Sequence, residues 1–522
     1  MDRLALDGSL SPRLASAGAV AVVFTMLVVG SLLIRPKSQR ALPGPPPRPL
    51  IGNLLDIPDK RINPGPEFSR MAAKYGDIVA LKVFGQTVVV LHNEADVRAL
   101  FVDRKHIYCD RALPRMLQLM GCEEVSFFIP MGNTFRIQRK LMNQLMGAQV
   151  GVPQALQAAS MTVVRRFVQA QSTDSVQHLL DGSMSSVMLR VIYGYDVQAK
   201  KVQEMPFVVL LKDAVGGFFQ AAQPDWLVNF IPILQYIPGW VPGASFKRKV
   251  SEWASLWHRA HDEPFNWAKA QIELTQREQA AGTAKPSFIS TLLLDPEAKH
   301  SEDDIRQVLG DLVAGGADTT HSIITWALLA LSLHPQIQDR AREEISSILG
   351  EDAVPTVADK EKLPYITAVV KEVFRWYPAV PVPMPKLSRE DDEYKGFVIK
   401  KGTLVTPNVW HILHDPVKYQ EPFEFNPERY LSGAVTDDPR HHVFGFGPRA
   451  CPGRYLADNV VWAVIAQLLA TCEISRPLYD DGTPVTLLNI EEQPLTMPSL
   501  PRLFSCTVTP RNTQFEILLL DA

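Results

Sequence analysis

Along most of this chain apolar positions recur every three or four residues, the period of helices that bury one face, but the first apolar run follows no period. From Leu14 to Ile34 the sequence reads LASAGAVAVVFTMLVVGSLLI without a single charge. At 1.5 Å per residue that run covers a hydrocarbon core of roughly 30 Å, so it predicts a membrane-spanning helix. Arg35, Lys37 and Arg40 follow, where a cleaved signal peptide would end in small residues, so the helix is expected to stay as an anchor. Asp2, Arg3, Asp7 and Arg13 cancel on the other flank, which predicts a short lumenal segment 1–13 and a cytosolic bulk. The absence of an N-x-[ST] sequon agrees, and a core helix at the extreme N-terminus is the competing reading.

Next comes ALPGPPPRPLIGN, inside a basic and proline-rich hinge at 35–49. Its prolines fix the backbone and remove donors, which suits a semi-rigid strut, with a plain flexible linker as the alternative. Residues 50–522 show no repeat and no shift in composition, so they read as one large body. That body is mainly α. Two patches alternate like strands and carry turn glycines, DIVALKVFGQTVVVL and YKGFVIKKGTLVTPN, and each predicts a hairpin. The longest helical pattern is SEDDIRQVLGDLVAGGADTTHSIITWALLALSLHP, opened by a capping box from Ser301 to Asp304 and closed by Pro335. Its second half is apolar on nearly every side, the mark of a buried central helix.

Composition adds little beyond exclusions. Charged residues make up 21% of the chain and the formal net charge is -3, so no excess of basic charge points to nucleic acid. Five cysteines without a CxxC pair speak against both a disulfide framework and a structural zinc site.

Chemistry concentrates in four places. Gly315 and Gly316 each cost about 1 kcal/mol inside a helix, and Asp318, Thr319 and Thr320 place polar groups where the pattern predicts core. Either the helix kinks there with threonines bonded to the preceding turn, or Gly315 lets a flat ligand lie against it while Asp318 and Thr319 relay protons. Glu372 and Arg375 stand three apart on one helical face, which fits a solvated pair or, with Arg429 from FEFNPERYL, a buried network. Last comes FGFGPRACPGRYLA, where Cys451 sits among glycines and arginines.

Taken together, Gly315-Gly316-Ala317-Asp318-Thr319-Thr320, Glu372-x-x-Arg375, Phe425-x-Pro427-Glu428-Arg429 and Phe444-x-x-Gly447-x-Arg449-x-Cys451-x-Gly453 resemble the cytochrome P-450 haem-thiolate monooxygenases of microsomal type. The resemblance runs from about Pro43 to the C-terminus and implies the P-450 fold, a helical body with small sheets. It implies haem b, iron protoporphyrin IX, with Cys451 as the axial thiolate and sole protein ligand of the metal. Thiolate donation favours cleavage of the O–O bond. Gly447 and Gly453 would bring backbone N–H groups to the sulfur, Phe444 would shield it, and Arg449 and Arg139 would pair the haem propionates. Phe135 stands where the family usually has tryptophan, removing one indole donor. Lys386 is a further candidate propionate contact, while His441 and His442 read as exposed loop histidines.

The resemblance also implies the reaction. Two electrons and two protons activate O2, one oxygen enters a lipophilic small molecule, and the other leaves as water. No GxGxxG fingerprint for flavin or nicotinamide occurs at a strand-to-helix turn, so an NADPH-cytochrome P-450 reductase is the expected donor. Arg136, Lys140 and Arg454 would offer it a basic face, unless they are simply solvated charges. Phe127, Phe128 and Ala314 are expected to wall the substrate pocket. EDDEYKGFVIKKGTLVTPNVW looks fungal, which suggests secondary metabolism, and the anchor implies a single-pass protein of the endoplasmic reticulum membrane. A haem-thiolate isomerase or dehydratase without external electrons, and a non-catalytic haem-binding protein, are the alternatives.

Overall fold

Residues 40–520 of the computed structural model are described, apart from 60–62, 148–153, 171–174, 181, 196–204, 224, 276–286, 295–299, 434, 436 and 494–497. Seven helices position the site: α1 (Asn133–Met146), α2 (Ser183–Tyr193), α3 (Pro206–Ala222), α4 (Ser245–Thr275), α5 (Glu302–Leu333), α6 (Pro364–Trp376) and α7 (Arg454–Thr471). Helix α5 runs unbroken for 32 residues, so the glycine pair does not interrupt it. Ser301 caps it by accepting from the Asp304 amide at 3.1 Å. In its first half Ile305, Val308, Leu309 and Leu312 line one buried stripe, whereas Ile323 to Leu331 are buried on every side. Trp326 lies flat on Tyr377, with centroids 3.8 Å apart, and locks that half against the end of α6.

The core follows from these faces. The second half of α5, with α2, α6 and α7, makes one continuous apolar cluster. A second gathers Phe128, the α3 and α4 faces and Ala314. Small sheets flank the helices. Strands β1 (Ile78–Val83) and β2 (Gln86–Leu91) form the expected hairpin, with Ile78 opposite Leu91. The second strand-like patch forms a hairpin only in its first half, turning at Lys395-Gly396 so that Tyr394 faces Phe397. Its β6 (Phe397–Ile399) pairs with β5 (Asp392–Tyr394), while β7 (Leu404–Pro407) lies parallel to β2 and antiparallel to β4 (Lys386–Leu387). The five-stranded order is β1-β2-β7-β4-β3, with β3 at Asp110–Arg111. Alternation fixes which face of a strand is buried but not its neighbour, and β7 finds more apolar surface beside β2. The proline segment lies on this sheet where it is described. Pro43 O accepts from the Ala80 amide at 2.7 Å, and a Cβ on Gly44 would fall 2.0 Å from Ala80 O.

The expectation of a fold preceded by a transmembrane helix is corrected. Residues 14–34, which carry that expectation, lie outside the described residues, and among the described residues no helix is long and apolar enough to cross a membrane. The uncharged apolar runs of α5 and α7 extend only over 322–333 and 460–470, the length of core helices. The fold stands as mainly helical with small sheets, and the single-pass endoplasmic reticulum placement is withdrawn.

Candidate functional site

Cys451 is placed by a loop that only glycine permits. Gly445 and Gly447 have φ of +78° and +66°, and a Cβ on Gly447 would lie 2.2 Å from Phe101 O. The turn closes when the Cys451 amide donates to Phe444 O at 2.7 Å, and α7 begins three residues later behind Gly453. Phe444 is anchored by Phe374 of α6, their centroids 5.4 Å apart. Burial pushes the Cys451 thiol up. The Gly453 N–H, which donates to the sulfur, and the charges of Arg139, Arg454 and Arg111 pull it back.

Around that sulfur the chain has collected buried positive charge. Arg139 of α1 donates to Ala450 O at 2.8 Å. Arg449 donates from Nε to Cys109 O at 2.8 Å and from its terminal nitrogens to carbonyls of Ser126, Phe127 and Ile129, with its guanidinium 4.3 Å from the Phe135 ring. Phe135 therefore supplies a π face where an indole would supply a donor. Arg111 lies over Phe127, and its Nε is sealed from solvent with no partner among the described residues. Lys386 donates to Phe446 O at 3.0 Å. Burial, then mutual repulsion, pushes Arg111 down to about 9 and Lys386 to about 7; burial brings Arg449 to about 10 despite Asp110. Among the described residues Asp110 is the carboxylate within salt-bridge reach of this group, 3.7 Å from Arg449, and Arg389 already holds it at 2.6 Å.

Helix α5 has an open side at Gly315, which is exposed. A Cβ on Gly315 would meet nothing within 4 Å, whereas one on Gly316 would strike the Met188 side chain at 2.5 Å. Gly315 thus borders space and Gly316 serves packing. The Thr319 hydroxyl donates to Gly315 O at 2.9 Å, with Asp318 half-buried on the same turn. Ala314 packs with Phe128 in the second cluster. Phe127 points elsewhere, 38% exposed beneath Arg111.

Glu372, Arg375 and Arg429 meet in full burial. Arg375 donates to both Glu372 oxygens at 2.9 and 2.8 Å, and Arg429 Nε reaches Oε1 at 3.2 Å. The remaining guanidinium donors go to carbonyls of Leu413, Pro422, Gln420 and Glu424, and the Asn426 amide donates to Glu372. The network therefore pins the loop upstream of the cysteine. His441 is exposed as expected, but His442 is fully buried and donates from Nε2 to Asp437 at 2.6 Å.

Sequence reasoning missed Arg111 and Asp110, because nothing local marks them; the pairing of β3 with β4 brings them here. An open depression of about 670 Å³ on the outer side of the cysteine loop is lined by Arg136, Arg139, Lys140 and Arg454 with Gly447. One soft sulfur, a glycine-bordered space and surplus buried cations fit a planar metal-bearing group with two carboxylates.

A family model described as Cytochrome P-450 matches residues 42–495. The chain is 35% identical to cytochrome P-450 monooxygenase 208 of Postia placenta, over 91% of each. It is 33% identical to cytochrome P-450 monooxygenase COX2 of Coprinopsis cinerea, over 100% of this chain and 98% of that one. A zebrafish cytochrome P-450 solved with abiraterone shares the fold at a TM-score of 0.67 and 20% identity, covering 86% of this chain and 100% of its own.

Proposed function

Because the chain belongs to the cytochrome P-450 family and is a P-450 monooxygenase by class, we propose that Cys451 holds haem b through its thiolate and that the body from residue 50 onward is one haem-binding unit. The observation carrying this reading is the surplus of buried cations, Arg111, Arg139, Arg449 and Lys386, around a sulfur that accepts from the Gly453 N–H. Two propionates would neutralise that charge, with Arg139 and Arg449 as the principal donors. When bound, the haem supplies O2 activation, with the thiolate favouring O–O cleavage.

The residues of the chain supply the rest. Gly453 donates a hydrogen bond to the sulfur and tempers its charge, Gly447 allows the loop its turn, and Phe444 closes one side. Gly315 leaves room beside α5. Thr319 and Asp318 hold and pass protons to the oxygen side, the threonine turning its hydroxyl away from Gly315 O to do so. Phe128 and Ala314 wall the substrate space, with Phe127 at its margin. Their apolar character supports a lipophilic small-molecule substrate, and relatives from Postia placenta and Coprinopsis cinerea support fungal secondary metabolism as its source. The depression lined by Arg136, Lys140 and Arg454 suits an acidic docking surface on an NADPH-dependent flavoprotein reductase.

The test is spectral and then stoichiometric. Purified protein is expected to give the thiolate absorption signature of its reduced carbonyl adduct, and Cys451→Ser to lose it; an unchanged spectrum in that variant rules the ligand out. With reductase and substrate, Thr319→Ala is expected to consume NADPH with less oxygenated product per NADPH, and unchanged coupling removes the relay.

A further inference from the structure

One turn before Gly315 a second buried polar group sits on α5. Asp311 accepts from the Ser126 amide at 2.8 Å and from Gln307 Nε2 at 3.0 Å, and it faces His261 Nε2 of α4 at 3.2 Å. Both side chains are almost wholly buried, at 7% and 4% exposure. His261 Nδ1 lies 3.0 Å from Trp257 O, so each ring nitrogen faces an oxygen acceptor. These two contacts fix the orientation of the imidazole between Trp257 O and the Asp311 carboxylate. Gly310 exists for this contact, since a Cβ there would fall 2.2 Å from the imidazole.

Ser126 begins the segment that carries Phe127 and Phe128, and its hydroxyl donates to Gln138 of α1 at 2.6 Å. Arg449 grips the carbonyls of the same segment from the other side. Aromatic contacts close a circuit. Phe128 lies 6.1 Å from Phe218 of α3, Phe218 stacks on Trp257 at 4.6 Å, and Trp257 lies 4.8 Å from His261. We propose that Asp311 is a positioning residue whose carboxylate, held by His261, latches segment 126–129 and so fixes Phe128 as a wall of the substrate space. This rests on the reading of Phe128 and Ala314 as pocket walls. Swinging the segment out to admit substrate strips the Ser126 N–H from its acceptor, and closing restores it, so the latch sets how readily bulky molecules enter.

The test uses the full-length haem-loaded protein. Amide hydrogen exchange across 122–131 is compared between the unaltered chain, Asp311→Ala, Asp311→Asn and Gly310→Ala. Asp311→Ala is expected to speed exchange at Ser126 about tenfold or more. Gly310→Ala is expected to act in the same direction by displacing His261, and Asp311→Asn less, because it keeps an acceptor. Segment 440–453 should exchange as before. The haem ligand 4-phenylimidazole, followed by its Soret shift, is expected to change affinity several-fold in the same variants. Unchanged exchange in Asp311→Ala and Gly310→Ala overturns the latch and leaves the pocket reading standing. Faster exchange with unchanged 4-phenylimidazole affinity keeps the hold of Asp311 on the segment and overturns the reading of Phe128 as a pocket wall. If Asp311→Ala does not fold, Asp311→Asn and Gly310→Ala carry the comparison alone.

Discussion

Arg111 shows how a single side chain acquires meaning from its neighbours. Its Nε is buried without a partner among the described residues, and its guanidinium shares space with Arg449 and Arg139. A charge so placed raises the free energy of the haem-free fold and lowers it again when an anion arrives. A charge-assisted hydrogen bond of about 1.5–3 kcal/mol corresponds to roughly ten- to hundredfold in affinity. Arg111→Leu is therefore expected to lose haem to a scavenging apoprotein roughly ten times faster than the unaltered chain, measured by the Soret change. The turn that carries Cys451 could be singled out from sequence because its glycines, arginine and phenylalanine lie within ten residues of it. Arg111 could not, because its role comes from a two-residue strand paired with residues some 275 positions away.

The elements differ in the same way. Helix α5 could be read from its cap, its apolar period and its terminal proline, all local signals, and its bounds fall within a residue or two of that reading. The Glu372, Arg375 and Arg429 arrangement was half legible. Spacing put the first two on one face of α6, but only the fold seals all three from water. Because the network joins α6 to the loop at 413–429, removing its one carboxylate strands two guanidiniums in the core. Glu372→Ala is expected to cost about 3–5 kcal/mol. It should appear as a lower urea midpoint with an unchanged slope, with Trp376, whose indole donates to Phe423 O, as the reporter. The late patch was half legible: its glycine turn between β5 and β6 is there, but β7 joins β2 and β4, because alternation says which residues face inward and nothing about which strand comes alongside.

At the scale of the whole molecule, acid sensitivity follows from histidines buried without charge. Burial, and then the charge of Arg375, pushes His414 down to about 3; burial, and then His411, pushes His92 down to about 4. Each binds its proton near 6.5 once unfolded, so the unfolded chain takes up protons that the folded chain refuses. Their stabilisation is complete above pH 6.5 and is lost as pH falls toward 3–4, at up to about 1.4 kcal/mol per pH unit for each. His414→Phe, which keeps the stack on Trp410, is expected to show a shallower decline across that window in denaturant titrations at successive pH values. The central sheet carries a consequence for synthesis. Strand β2 takes β7 as its parallel neighbour, and residues 92–403 lie between them. At a ribosomal pace of roughly 5–20 residues per second, the nascent hairpin waits about 15 to 60 s with an open edge. Translation stalled anywhere in that interval leaves a sticky fragment for chaperones to hold, so yield in a foreign host should depend on elongation speed through the middle of the message.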